Sequence, residues 1–148
     1  MQNLLSRIVN AFNRVEPTAL ILWVLFIILE KSFDMSLGPI LNVVSSTLAA
    51  LYILQARVGM NQLRDKAFLI KAYPYVLGNS SAIIILGVFF KVMSYPGADL
   101  MAKVGIIGIL ISCVFLFYRP VQDEFLPVMK KILLRLFLLI AVGFLVSF

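Results

Sequence analysis

The chain has 148 residues, 62% of them apolar and 14% charged, with a formal net charge of +6 and a mean hydropathy of +1.04. That is too little polar surface to cover a soluble domain of this size, so the composition points to an integral membrane protein. A bilayer core takes roughly 20 apolar residues per helical span, which leaves room for about four or five spans and no sizeable domain outside the membrane. The positive charge does not indicate a nucleic-acid partner, because the basic residues gather where apolar segments end rather than in one patch.

Residues 1–16 read as an amphipathic cytoplasmic stub, with Leu4, Leu5, Ile8, Val9 and Phe12 at helical spacing. No small-residue cleavage site follows the first apolar run, so that run is expected to be retained rather than removed as a signal peptide. A first hairpin is expected over residues 17–56. Its spans run from about Pro17 to Lys31 and from Pro39 to Gln55, joined by a turn through Asp34, Ser36 and Gly38. A basic cytoplasmic loop covers 57–74 and carries Arg57, Arg64, Lys66 and Lys71. A second hairpin covers 75–119, with spans from Tyr75 to Met93 and from Leu100 to Tyr118. Residues 120–148 form a further loop and a fifth span from about Phe125 to Phe148, with Lys130, Lys131 and Arg135 snorkelling from its first turns. The expectation is an all-α polytopic protein of five transmembrane helices.

Basic residues orient it. Arg7, Arg14, the four of the 57–74 loop, and Arg119, Lys130, Lys131 and Arg135 fall on one side, against Lys31, Lys91 and Lys103 on the other. That asymmetry puts the N-terminus inside and the C-terminus outside. Both hairpins then keep a polar tip outside and a basic exit inside, the layout of two parallel repeats of one unit.

Chemistry is poorly supplied. There is no histidine and a single cysteine, Cys113, in mid-span, so neither an imidazole base nor a disulfide is available, and no spacing suits a metal or phosphate site. No enzyme activity and no cofactor are expected. Asp123 and Glu124 lie on a loop, where neighbouring carboxylates are solvated or paired with Lys130 and Lys131. The spans hold no ionisable residue away from their ends, Glu30 and Lys91 being the deepest, and an ion-coupled path is usually marked by such groups. What remains is helix packing: Asn42, Ser45, Ser46, Thr47, Ala49 and Ala50 in the second span, Gly105, Gly108 and Ser112 in the fourth, Gly143 and Ser147 in the fifth. Small residues let helices approach closely in lipid, where apolar burial gives no drive between them. The Asn42 to Thr47 cluster is also the one candidate for a polar pocket.

The second hairpin has a distinct tip. Pro96 and Gly97 supply the turn, Tyr95 suits the headgroup level, and Asp99 is placed to pair with Lys91 or Lys103 or to cap the following helix. Gly87-Val-Phe-Phe-Lys-Val-Met-Ser-Tyr-Pro-Gly-Ala-Asp-Leu-Met101, then Val104-Gly105, then Arg119-Pro-Val-Gln-Asp-Glu124, resembles the transmembrane hairpin of the GldL family, the inner-membrane component of the gliding and type IX secretion motor in Bacteroidota. The resemblance spans 86–121 and implies a bacterial inner membrane and an envelope export or assembly context. The glutamate that the family uses for proton coupling aligns with Ile109, and the long cytoplasmic segment after the hairpin is replaced by a fifth span. A motor-like energy transducer is therefore disfavoured. The expected function is a non-enzymatic accessory or scaffold subunit of a larger inner-membrane complex. Membrane lipids and other membrane subunits, or further copies of the chain, are its partners. The alternative is a small carrier or channel for a lipid or neutral solute.

Overall fold

The computed structural model describes residues 2–33 and 36–147. Its elements are α1 (Gln2–Phe33), α2 (Gly38–Gln62), α3 (Phe68–Val92), α4 (Ala98–Phe115), a short α5 (Arg119–Phe125), one 3-10 turn (Leu126–Val128) and α6 (Met129–Ser147). The protein is all-α. Four helices, over Leu4–Ser32, Gly38–Gln62, Phe68–Val92 and Ala98–Phe115, are long and apolar enough to cross a membrane, which makes it a multi-pass membrane protein. α6 has 19 residues but carries three basic side chains in its first two turns, and it is not among the four.

Several expected boundaries move. α1 does not begin at Pro17; it runs unbroken from Gln2, with Pro17 inside it. A helix-interior proline removes one N–H and displaces the carbonyl four residues back, here that of Asn13, but neighbouring helices can hold such a helix together. α2 continues past Gln55 to Gln62 and α3 begins at Phe68. The broad basic loop thus shrinks to Leu63–Ala67, and Arg57 and Lys71 stand on helices. Asp34, between α1 and α2, lies outside the described residues. Beside it, the Glu30 carboxylate accepts the Leu37 N–H at 2.7 Å and closes that turn.

Short connections force neighbours antiparallel. α3 is the centre of the bundle, packed between α2 and α4, with α6 against α3 and α4 and closing onto α1. The α3–α4 seam is a glycine seam. A Cβ on Gly87 would lie 2.6 Å from the Ala102 nitrogen, and one on Gly105 would lie 2.8 Å from the Ile84 nitrogen. Neither separation is tolerable, so only glycine permits this approach. On the other side of α3, Gly78 sits against Ala56 and the Tyr52 carbonyl. Gly143 of α6 meets the Ile84 side chain, so α6 runs parallel to α3 and reaches at least that level.

The buried residues of each helix form one stripe. On α1 they are Val9, Phe12, Glu16, Leu20, Trp23 and Ile27; on α6, Ile132, Arg135, Leu136, Leu139 and Val142. Spacings of three and four keep each set on one helical face. Two charged residues, Glu16 and Arg135, occupy stripe positions where apolar residues are expected.

Candidate functional site: a buried ion pair above a polar recess

Glu16 and Arg135 are each 5% exposed and form a direct ion pair, Arg135 Nε to Glu16 Oε1. Tyr52 of α2 donates its hydroxyl to the same carboxylate oxygen at 2.9 Å, and the Arg135 guanidinium lies over the Tyr52 ring, 4.7 Å from its centroid. One residue each from α1, α2 and α6 therefore meets in a cluster that is almost wholly buried. Glu16 lies inside the apolar stretch Leu4–Ser32. The spans thus do carry ionisable groups away from their ends, contrary to the expectation from sequence. That expectation rested on starting α1 at Pro17 and on letting Arg135 snorkel; the helix instead continues through the proline, and each charge neutralises the other across the bundle.

The pair borders a recess of about 270 Å³ between α1, α2, α3 and α6. Its polar lining includes Asn10, Asn13, Gln55, Gln62, Tyr73 and Lys131, with Glu16 and Arg135. Asn10, Gln62 and Lys131 are exposed and mark its mouth, at the end of the bundle that carries Arg57, Arg64, Lys66 and Lys71. Gln55 donates its Nε2 to Asn13 Oδ1 at 2.7 Å. Two buried polar atoms on the recess wall, Gln55 Oε1 and the Tyr73 hydroxyl, have no hydrogen-bond partner among the described residues. Orphaned buried groups carry a desolvation penalty, so a wall with two of them is built to face something polar. Pro74 also lines the recess; lacking an N–H, it leaves the Ile70 carbonyl without its usual helical donor.

The polar cluster of α2 is divided by the helix. Ser45 faces inward and accepts the Trp23 indole N–H at 2.9 Å, while Asn42, Ser46 and Thr47 are exposed on the outer face, where the Ser46 hydroxyl donates to Asn42 Oδ1. They line no common pocket. Gly105 and Gly108 press on α3, Gly108 against Ser80, and buried Ser112 returns its hydroxyl to the Gly108 carbonyl at 2.9 Å. Gly143 is buried; the side chain of Ser147 lies outside the described residues.

The tip between α3 and α4 is closed by local bonds. α3 ends with Ser94 at φ 57°, the Tyr95 N–H bonding to the Phe90 carbonyl and the Ser94 N–H to that of Lys91. This is the paired closure of a helix C-terminus around a left-handed residue, completed by apolar contact between the same two positions. Here the Tyr95 and Phe90 rings are 5.4 Å apart, edge to face. Gly97, at φ 81°, starts α4, and Pro96 bridges the two left-handed residues. Asp99 makes no cap; it accepts from Lys91 Nζ at 2.6 Å, and Lys103 is exposed. At the opposite end Lys66 pairs with Glu124 at 3.0 Å, fastening the connection after α2 to α5.

The sequence reading missed Glu16, Tyr52, Gln55, Tyr73 and the pairing role of Arg135. A usable signal was present: Glu16 and Arg135 both fall in register on the apolar stripes of their helices. No family model, curated protein or solved structure matches the chain.

Proposed function

We propose that this is a bacterial inner-membrane protein that holds a small polar group, either a solute or the headgroup of a lipid, in the recess beside Glu16 and Arg135. Five spans, with the N-terminus inside and the C-terminus outside, complete this reading. α6 is then the fifth, and the recess mouth faces the cytoplasm with the basic residues. The two outer-tipped hairpins would be repeats of one unit. The observation that carries the proposal is the recess wall, with its unpartnered Tyr73 hydroxyl and Gln55 carbonyl oxygen. At about 270 Å³ the space is just below the roughly 300–1,000 Å³ of ordinary small-molecule pockets, which suits a headgroup or a metabolite-sized solute. An ionisable pair at membrane depth usually has a function beyond bracing, and here it borders a cavity. The reading is non-enzymatic.

Access is the test. In a Cys113→Ala background, Val58→Cys places a thiol on the recess wall and Val43→Cys places one on the exposed apolar face of α2. A charged, membrane-impermeant thiol reagent should modify position 58 from the cytoplasmic side and leave position 43 unmodified. Failure to modify position 58 from either side, or modification only from outside, would sink the proposal. The accessory-subunit alternative draws on the rigid outer tip from Ser94 to Asp99 and on the hairpin resemblance; it requires a stoichiometric membrane partner after gentle solubilisation from the native host.

A further inference from the structure

We infer that the group held in the recess is a phosphate, bound by Arg135 and Lys131 with Tyr73 and Gln55 completing its hydrogen bonds. The inference rests on the binding reading above and names its ligand class. Four features of the recess converge on it.

The first is the charge left over. Glu16 is committed through one carboxylate oxygen, which accepts from Tyr52 and pairs with Arg135, and the charges of Arg135 and Lys131 beside it oppose a cation there. A guanidinium has more N–H donors than one carboxylate can accept, and its planar fork matches a tetrahedral oxyanion as well as a carboxylate. Glu16 thus anchors Arg135 without saturating it. Lys131 lies one helical turn before Arg135 on the same face of α6, lines the recess and has no ion-pair partner among the described residues. Two cations against one carboxylate leave the recess net positive, and the basic residues around its mouth extend that field toward the cytoplasm.

The second feature is the polarity of the orphaned wall atoms. The Tyr73 hydroxyl, on a residue with no exposed surface, can donate to an oxyanion. Gln55 has committed its Nε2 to Asn13, so its Oε1 can only accept and needs a donor from the ligand. A carboxylate has no such donor. A phosphate monoester does: with a second ionisation near 6, a share of it keeps a P–OH at neutral pH. The third is the Tyr52 ring, which covers one face of the guanidinium and restricts its approach to the edge. The fourth is size, since a recess of about 270 Å³ has room for a phosphate together with the group that carries it.

The chemistry does not depend on whether the phosphate ends a lipid or is free in solution, and the experiment separates the two. The full chain is reconstituted in nanodiscs of zwitterionic lipid, and its thermal midpoint is followed with added inorganic phosphate, with chloride at equal ionic strength as the control. A parallel series replaces part of the lipid with phosphatidic acid, a monoester, or with phosphatidylglycerol, a diester without the P–OH. A rise in midpoint with inorganic phosphate assigns a free ligand, and a rise confined to phosphatidic acid assigns a headgroup. In either case Lys131→Gln and Tyr73→Phe, which leave the Glu16–Arg135 pair intact, should each weaken the response by about 10-fold or more. Arg64→Gln, at an exposed position outside the recess lining, should leave it nearly unchanged. No rise in either series overturns the inference, as does a rise that both recess variants retain, which would mean anion binding at the rim. If position 58 is still modified from the cytoplasm, the recess reading survives that loss; if it is not, both fall.

Discussion

Two ion pairs stand at opposite ends of this bundle. Lys91 and Asp99 meet at the α3–α4 tip with side chains 37% and 59% exposed, joined by a turn so short that the pair is nearly a local feature. Arg135 and Glu16 are 5% and 6% exposed and come from opposite ends of the chain. The tip pair decorates a turn already closed by backbone bonds at Ser94 and Tyr95, and removing it leaves two solvated groups. The Glu16–Arg135 pair is a junction of three helices, and removing half of it strands a charge that is almost wholly buried. The same chemistry is therefore dispensable in one place and structural in the other, because the cost of an ion pair is set by what surrounds it.

The sharpest way to break this contrast is Arg135→Leu. It leaves Glu16 buried and unpaired, and a loss of about 3–5 kcal/mol is expected, read as a large drop in the denaturation midpoint in detergent or nanodiscs. Glu16→Leu combined with Arg135→Leu should recover most of that loss. A single variant as stable as the parent would show the pair to be solvated after all. Tyr52→Phe is more delicate: it removes only the hydroxyl that donates to Glu16, for an expected cost of about 1.5–3 kcal/mol, as for a hydrogen bond to a charged group. If it costs nothing, Tyr52 contributes through its ring alone. At the tip, Lys91→Gln should cost no more than about 1 kcal/mol, and a loss matching that of Arg135→Leu would erase the distinction between the two ends.

The tip was the most legible part of the sequence. Pro96, Gly97, Tyr95 and the Lys91–Asp99 spacing are local signals, and turn chemistry acts over a few residues. Among the open alternatives for Asp99, geometry selected Lys91, eight residues earlier on the last turn of α3, across the tip. Membrane residence was legible from composition, as were the helices themselves, since lipid permits few other ways of satisfying a backbone. The seam role of Gly105 and Gly108 could be anticipated, but not their partner surface on α3 at Ile84 and Ser80.

Helix ends were less legible. Pro17 looks like a start and is an interior residue, and the 57–74 segment looks like a loop because it is polar, yet most of it extends α2 and α3. Polarity near a membrane end says that a residue is near water, not that its backbone is irregular. The Asn42 to Thr47 cluster divides for a related reason: four polar residues within six positions occupy more than one face of a helix, and only Ser45 lies on the buried stripe with Leu41, Leu48 and Tyr52.

The sequence by itself determined that this protein is a bundle of apolar helices in a membrane, with a glycine-lined seam and a preformed tip between α3 and α4. Those properties depend on composition and short-range spacing. Only the tertiary structure decided that Glu16 and Arg135 neutralise each other, that Tyr52 joins them, and that Asn13, Gln55 and Tyr73 line one recess. A charge on an apolar stripe can be tolerated only if another helix supplies its partner, and the identity of that helix is a matter of packing.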